Sequence, residues 1–250
     1  MNHVIRGQDI SDTWKQSVVY LLQHQNSSYN LVAEIENPTK DDPVLRKELN
    51  NVLDSLRDQR VETVANTIFP AEFEIDPTNR PDFYNRFIRF YPQLRNIPEN
   101  ARGTYFGRLV CWGFENGSNF NQLEKTIEKL LQVRLGRNRI RVRYEIGIYD
   151  PMRDYDSDMG FPCLSFISVK IRGNSIDMTA IYRNQFFVQK AYGNYLGLGR
   201  LLEFMARHSG FEVGKLTCIA THAHLGNTNK ESLLKIRELC ASVEQMYLDF

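Results

Sequence analysis

One cysteine stands at a position where a thiol could act as a nucleophile. Cys163 follows Pro162 at the start of a predicted strand, after the polar segment 150–160. A strand end fixes the position of the sulfur, while a loop keeps it accessible. Arg183 ends the returning strand of the same predicted hairpin, and a guanidinium beside the sulfur would favour the thiolate that covalent catalysis needs. The alternative is an unreactive core cysteine, because a free cysteine is most often a small buried residue.

A second candidate feature is a set of regularly spaced arginines. Apolar residues alternate with Arg139, Arg141 and Arg143 over residues 139–148, which predicts a strand with one buried face. Side chains two residues apart point the same way, so the arginines would share the other face. Such a face could bind an anion. It could equally be an exposed strand face with Glu145 as the partner of the arginines.

Three possible metal ligands lie near the end of the last predicted strand. Cys218, His222 and His224 share one face of that strand by parity. No fourth ligand lies at a recognisable spacing, so we expect no bound metal. We expect one histidine to hydrogen-bond a ligand and the other to be structural. Nothing local supports a cysteine–histidine pair of the protease type.

Composition limits the partners of the chain. Its 250 residues carry a formal net charge of +1, which gives no general attraction to nucleic acid or to an anionic membrane. No apolar run reaches the roughly 18 residues of a spanning helix, and no signal segment is recognisable. Four cysteines without a Cys-x-x-Cys pair are typical of a reducing compartment. We therefore expect a cytoplasmic protein without a disulfide framework and without a nucleic-acid or membrane partner.

Hydrophobic periodicity predicts the elements that must position these residues. No low-complexity linker divides the chain, which favours a single domain over residues 1–250. Separate helices combined with hairpin-connected strands predict the α+β class, a mixed sheet covered by helices. The predicted helices are 11–22, 43–56, 81–95, 119–132, 187–208 and 231–247, and the predicted strands are 31–35, 61–73, 139–148, 163–172, 175–182 and 215–221.

Four short motifs occur in an order that resembles a known family. They are, in order, Pro162-Cys163, Tyr182-Arg183-Asn184, Asn194 and His224. In the thymidylate synthases and the related pyrimidine nucleotide hydroxymethylases, the corresponding motifs are Pro-Cys, Tyr-Gln-Arg-Ser, Pro-Phe-Asn and Gly-Asp-x-His-x-Tyr. Fainter similarity upstream extends the resemblance to about residues 50–225, with helical flanks at 1–49 and 226–250. The resemblance implies a thymidylate-synthase-like fold.

The resemblance also implies a reaction and a way of holding the base and sugar. Cys163 would attack C6 of a pyrimidine ring and make C5 nucleophilic toward a one-carbon unit. Asn194 would pair with the base, and an asparagine at this position in the family suggests uracil. His224 would contact the ribose. The implied donor is 5,10-methylenetetrahydrofolate or another reduced pterin.

The phosphate site and the assembly are implied in the same way. Arg60 and Arg183 would hold the 5′-phosphate, with Asn184 in the place of the family's serine. In the family, paired arginines reach the phosphate from the other subunit, so Arg139 with Arg141 would do so here. The implied assembly is a homodimer that donates arginines across its interface.

The departures from the family concern the donor and the proton relay. The family's catalytic glutamate has no counterpart in residues 81–95, and several other positions carry different side chains. These are Phe106 for the turn tyrosine, Leu164 for the histidine after the cysteine, Phe186 for the folate-contacting aspartate, His222 for the aspartate before the ribose histidine, and Gly226 for the ribose tyrosine.

Two hypotheses of different class follow from this pattern. The first is an enzyme that transfers a methyl or hydroxymethyl group to a pyrimidine nucleoside monophosphate, with Glu62, Tyr105 or His222 as a substitute relay. Lost acid–base groups slow such chemistry by about 10²–10⁴-fold and do not abolish nucleophilic addition. The second is a nucleotide-binding sensor or interaction module. Retention of Cys163 favours the enzyme, since a binding module needs no thiol there.

Overall fold

The strand-forming segments of the chain pair into one mixed sheet. The computed structural model describes residues 4–113, 120–156, 160 and 162–248. The strands are Val4–Asp9 (β1), Ser27–Asn37 (β2), Tyr144–Gly147 (β3), Leu164–Arg172 (β4), Ser175–Tyr182 (β5), Gln185–Phe186 (β6) and Glu212–His224 (β7). Their order is β1-β2-β7-β5-β4-β3, with β6 also paired to β7. The β1/β2, β5/β7 and β6/β7 pairs are parallel and the others antiparallel.

Helices of amphipathic pattern pack against this sheet and confirm the predicted α+β class. Those in the described ranges are Ile10–Gln23 (α1), Pro43–Ser55 (α2), Val61–Ile68 (α3), Arg80–Arg95 (α4), Tyr105–Val110 (α5), Gln122–Arg134 (α6), Pro151–Asp154 (α7), Tyr192–Ser209 (α8) and Lys230–Leu248 (α9). A π-helical turn, Phe187–Ala191, leads directly into α8, and a 3-10 turn, Pro98–Asn100, precedes α5. None of the helices just given is both long and apolar enough to cross a bilayer.

The two faces of the sheet differ in burial. Alternate residues of β5 are fully buried, and the residues between them are half-buried. On the half-buried face, the strand register places five apolar side chains side by side across β1, β2, β7, β5 and β4. These residues, which we call the apolar row, are Val4, Val32, Ile219, Ile181 and Phe166.

The strand predicted over residues 61–73 is wrong, because its first part forms α3. Val61, Val64 and Ile68 fall on one buried face of this helix. β-branched residues disfavour a helix by only a few tenths of a kcal/mol, so burial of this face outweighs their strand propensity. A Cβ on Gly193 of α8 would lie 2.6 Å from the Val64 Cβ, so glycine is what allows α3 and α8 to pack closely.

The strand predicted over residues 139–148 is wrong over its first half. Only Tyr144–Gly147 forms β3. Ile140 and Val142 are 45% and 65% exposed, so the first half has no buried face that would hold it against the sheet. The arginines of this segment therefore do not line one face of a strand.

The other predicted helices and the hairpin are confirmed. The α2 helix begins after Asp42, whose carboxylate accepts hydrogen bonds from the N–H groups of Val44 and Leu45. The helix predicted over 119–132 corresponds to α6, and Asn119 lies outside the described residues. The single-domain organisation stays a prediction.

Candidate active site

A cavity of about 410 Å³ lies at the open end of the β4–β5 hairpin, between the first turns of α5 and α8. Its volume is within the roughly 300–1,000 Å³ of small-molecule sites. Residues 162–163 and 183–194 contribute one side, which we call the strand-end wall, and residues 59–67 and 99–105 contribute the other, the helical wall. Four predicted site residues meet on the strand-end wall: Cys163, Arg183, Asn184 and Asn194.

The hairpin holds Cys163 and Arg183 side by side. Cys163 is half-buried and directly precedes β4, and its carbonyl accepts a hydrogen bond of 2.9 Å from the backbone N–H of Arg183. The Arg183 Nε donates to the Pro162 carbonyl at 3.3 Å. These contacts fix the residue pair that the sequence singled out.

The surroundings of Cys163 differ from those of the buried cysteines Cys111 and Cys218. Burial raises the pKa of the Cys163 thiol, and the positive charges of Arg183 and Lys190 oppose this shift. Burial alone raises the pKa of Cys111 to about 12 and also raises the pKa of Cys218, with no cation to oppose it. Of these three thiols, Cys163 is therefore the one with electrostatic support for a thiolate.

A hydrogen-bond chain orients Asn184. Its Oδ1 lies 2.7 Å from the Nδ1 of His222, and the Nε2 of His222 lies 3.1 Å from the Oγ of Ser27. In this arrangement His222 donates to Asn184, which leaves the Asn184 amide nitrogen as a donor at the cavity. His222 therefore acts as a positioning residue, and it does not line the cavity.

Lys190 is a cavity residue that sequence reasoning missed. Its Nζ lies 2.9 Å from the Oε1 of Gln59 and 3.2 Å from the Oδ1 of Asp58. The side chain comes from the π-helical turn and adds a second cation beside Arg183. A single lysine within the mostly apolar segment 187–192 was the signal that could have revealed it.

Arg60 and Arg139 lie away from the cavity lining. Arg60 is largely exposed and forms a two-bond ion pair with Asp54, at 2.8 and 2.9 Å. Arg139 is exposed on the segment before β3. Their assignment to the phosphate stays a prediction.

Asn194 and His224 differ in their relation to the cavity. Asn194 is 4% exposed and lines the cavity. His224 lies behind the cavity residue Phe186, with the two rings edge to face at 5.8 Å. The Nδ1 of His224 accepts a hydrogen bond from the Gly226 N–H at 3.0 Å. The structure thus brings the base-reading candidate into the cavity and leaves the ribose candidate outside its lining.

Two acid–base groups face the cavity from the helical wall. The backbone N–H groups of Cys163 and Leu164 hydrogen-bond the Tyr105 hydroxyl, and burial raises the pKa of Tyr105 far above its usual value. Glu99, in the 3-10 turn, contributes an exposed carboxylate that no sequence pattern indicated. Glu62, another relay candidate, instead bonds Arg46 and Arg200, each at 2.9 Å.

A second cavity of about 530 Å³ adjoins the first. The two share residues of the helical wall: Gln59, Thr67, Glu99, Asn100 and Thr104. The remaining wall of the second cavity is mainly apolar, with Phe73, Phe87, Phe90, Leu94 and Ile97. A flat, largely apolar group could therefore bind beside a ligand at Cys163.

Cys218 and the two histidines do not form a metal centre. Cys218 is 1% exposed in the core, whereas His222 and His224 are half-buried, with their rings 6.2 Å apart. Across the part of the chain that the structure describes, no three metal-ligating side chains lie within reach of one ion.

The fold and cavity define an α+β protein with a cation-supported cysteine in a small-molecule pocket. No family model matches the chain. The chain is 25% identical over 223 residues to a "Putative thymidylate synthase" of Methanopyrus kandleri, covering 89% of this chain and 92% of that protein. It is 24% identical over 236 residues to the protein of the same name from Methanosarcina mazei, covering 90% of each. It is 30% identical over 122 residues to the protein of the same name from Methanosarcina barkeri, covering 49% of this chain and 52% of that protein. These similarities support a distant relationship to thymidylate-synthase-like proteins.

Proposed function

We propose that this protein is a pyrimidine nucleotide C5 one-carbon transferase, which transfers a methyl or hydroxymethyl group to a uridine- or deoxyuridine-type monophosphate. One observation carries the proposal: a single cavity is lined by a thiol, two cations and a buried asparagine, from Cys163, Arg183, Lys190 and Asn194. The names of the archaeal relatives agree with a transferase of this kind. A reducing, cytoplasmic location fits the four free cysteines.

The nucleotide would bind along the strand-end wall. Arg183, Lys190 and the amide nitrogen of Asn184 would hold the phosphate, because cations and N–H donors form strong, charge-assisted hydrogen bonds with it. Asn194 would pair with the edge of the base. The family resemblance also assigns Arg60 to the phosphate and His224 to the ribose, and both residues keep these roles in the proposal.

The chemistry would begin at the sulfur of Cys163. The thiolate forms a bond to C6, and the C5=C6 electron pair moves toward C5 and the O4 carbonyl, so that C5 becomes nucleophilic. C5 would then bond to the one-carbon unit, after which loss of the C5 proton expels the thiolate and restores the double bond. A hydroxymethyl product would take its oxygen from water, and a methyl product would need a hydride from the reduced donor. Splitting the reaction through a covalent adduct replaces one difficult step by two easier ones.

Proton movement at C5 and O4 would fall to the helical wall. Tyr105 stays protonated because burial raises its pKa, so it can donate a hydrogen bond but cannot act as a base. Glu99 is a carboxylate at the same cavity and can accept a proton. We therefore assign donation to Tyr105 and proton acceptance to Glu99, in place of the family's glutamate.

The second cavity is the place for the carbon donor. Its aromatic wall fits the flat ring of a reduced folate or another reduced pterin, and its shared residues open it toward the nucleotide cavity. When bound there, such a group would supply the one-carbon unit. Thr67, Asn100 and Thr104 would orient it with their polar side chains.

We also propose a homodimer in which Arg139 reaches the partner's phosphate site. The apolar row crosses five strands on the half-buried face of the sheet, where a second copy could bury it. Ile219 lies at its centre, so Ile219→Glu should give a monomer, because burying an unpaired charge in an interface is costly. Light scattering after gel filtration measures this, with the exposed Lys47→Glu as control. A monomeric wild-type protein would contradict the dimer.

A specific observation supports the second candidate, a nucleotide-binding module without transferase activity. Burial raises the pKa of Cys163 despite its two cations, which lowers the thiolate fraction at neutral pH. The α4 helix also lacks the family's catalytic glutamate, which likewise favours the binding module.

Covalent trapping distinguishes the two candidates. The protein is incubated with 5-fluoro-2′-deoxyuridine monophosphate, with and without methylenetetrahydrofolate, and its intact mass is measured. We expect a mass increase that Cys163→Ser abolishes, and a larger, donor-dependent increase if folate supplies the carbon. Nucleotide binding without any adduct would favour the binding module. Failure to bind pyrimidine nucleotides at all would overturn both candidates.

A further inference from the structure

A glutamine on the strand-end wall carries two unpaired polar atoms. Gln185 is 2% exposed, and neither its Nε2 nor its Oε1 has a hydrogen-bond partner within the described ranges. The residue lies in β6 opposite Ala223 of β7 and lines the cavity that contains Cys163. Sequence reasoning assigned it no role.

This pairing state is unusual for a buried amide. More than about 90% of buried polar groups in proteins are hydrogen-bonded, because an unpaired one loses its water without compensation. A buried amide that also lines a ligand cavity is well placed to be completed by that ligand. The unpaired donor and acceptor of Gln185 therefore point to a ligand rather than to the stability of the fold.

Gln189 offers a matched comparison four residues later. It is 6% exposed, and its Nε2 donates to the Asn227 carbonyl at 2.7 Å. It does not line the cavity. Within the described ranges, Gln189 is thus bonded to the backbone through its amide nitrogen and only its Oε1 has no partner, whereas both amide atoms of Gln185 have none.

A second buried amide residue, Asn194, lies at the same cavity. Two buried residues with side-chain amides, Asn194 and Gln185, line one cavity, and neither amide atom of Gln185 has a protein partner within the described ranges. The edge of a pyrimidine ring presents three polar positions in a row, whereas one amide can pair with only two adjacent ones. A base held by Asn194 alone would keep one carbonyl unpaired.

Resting on the proposed function, we infer that Gln185 is a second base-reading residue, whose Nε2 donates to the pyrimidine carbonyl that Asn194 leaves unpaired. Two amides would then cover the whole polar edge of the base. The amide of Gln185 would be retained for affinity at the expense of the stability of the ligand-free protein.

If Gln185 has this role, removing its amide should raise the stability of the ligand-free protein and lower its affinity for the nucleotide. Gln185→Met keeps the side-chain length and removes both unpaired groups, so the melting temperature of the ligand-free protein should rise. Affinity for 2′-deoxyuridine 5′-monophosphate, measured by calorimetry, should fall about tenfold or more, as expected for one lost hydrogen bond that leaves a buried carbonyl unpaired. Gln189→Met should lower the melting temperature and leave the affinity unchanged.

Sulfur-substituted nucleotides test the contact itself. The 2-thio and 4-thio analogues of deoxyuridine monophosphate each replace one carbonyl by a weak acceptor. For one analogue, wild-type protein and Gln185→Met should bind equally well, because the hydrogen bond is already lost. Additive losses with both analogues, or a lower melting temperature for Gln185→Met, would overturn the inference. Failure of the proposed function gives a different result, because wild-type protein would then bind no pyrimidine nucleotide at all.

Discussion

The two walls of the cavity are built from different kinds of interaction. The strand-end wall follows a hairpin, where backbone hydrogen bonds such as Arg183 N–H to Cys163 carbonyl set the distance between functional groups. The helical wall combines α3, α5 and a 3-10 turn from separate parts of the chain. Backbone hydrogen bonds between paired strands have the same geometry whatever the side chains are. Functional groups on that wall therefore keep a constant spacing in the sequence. The helical wall depends on individual side-chain contacts, so its functional groups can move to new positions in the sequence.

Arg108 shows how the helical wall is attached. This residue of α5 is 1% exposed, and its guanidinium donates to Asp154 Oδ1 at 2.8 Å. It also donates to the carbonyls of Ile148 at 2.9 Å and Arg102 at 3.0 Å. One buried side chain thus joins α5, which begins with Tyr105, to α7 and the end of β3.

Breaking this ion pair should have the largest effect. Asp154→Asn leaves the Arg108 charge buried without its counterion, which costs about 3–5 kcal/mol of unfolding free energy. Urea unfolding measures the loss, and the exposed Lys125–Glu128 pair, tested with Glu128→Gln, should show a far smaller one. Nucleotide binding should be less affected than donor-dependent adduct formation. Equal losses in both would show that the two walls are not independent.

The same variant should change how stability depends on pH. Burial raises the pKa of Asp154, but hydrogen bonds from Arg108 and from the Asp150 N–H outweigh it and leave the pKa below its usual value. A lowered folded-state pKa contributes stability above the unfolded value, about 3.9, and this contribution disappears as the pH falls through the folded pKa. The difference between wild type and Asp154→Asn should therefore narrow below about pH 4.

A comparison of two arginines sharpens the assignment of the phosphate site. Arg183→Ala removes a cavity cation and should weaken nucleotide affinity about 10- to 100-fold, as expected for lost charge-assisted hydrogen bonds. Affinity for the uncharged nucleoside should not change. Arg60→Ala, whose guanidinium bonds Asp54 outside the cavity lining, should have a smaller effect. Calorimetry measures the affinity of each protein for the nucleotide and for the nucleoside. Equal affinity of the wild-type protein for both would contradict a phosphate site.

Lys190 should give the smallest change, a shift in a pH profile. Its charge lowers the pKa of Cys163 against the effect of burial, so Lys190→Met should raise that pKa. Adduct formation with the fluorinated nucleotide should then need a higher pH, while Lys190→Arg should retain the wild-type profile. The rate of adduct formation from pH 6 to 10 measures this. Identical pH profiles for wild type, Lys190→Met and Lys190→Arg would show that Lys190 does not influence the pKa of Cys163.

Sequence patterns predicted elements best where burial and periodicity agree. The hairpin of β4 and β5 and the long helix beginning near Phe187 were found because their apolar residues alternate or recur at one period over many residues. The segment 61–73 misled because β-branched residues suggest a strand, whereas packing against the glycines of α8 made its first part a helix. Alternation over 139–143 misled because Ile140 and Val142 are exposed, so burial does not hold this segment in a strand.

The sequence alone determined the α+β class and the order of the motifs around Cys163, Arg183, Asn184 and Asn194. These residues lie close along the hairpin and the helix that follows it, so their spacing already specifies how they meet. Only the tertiary structure brought Glu99 and Tyr105 to the same cavity and left Arg60 outside its lining. It also showed that Lys190, within the segment 183–194, lines that cavity. Residues far apart in sequence meet through the packing of helices, and packing is set by the shapes and burial of many side chains together.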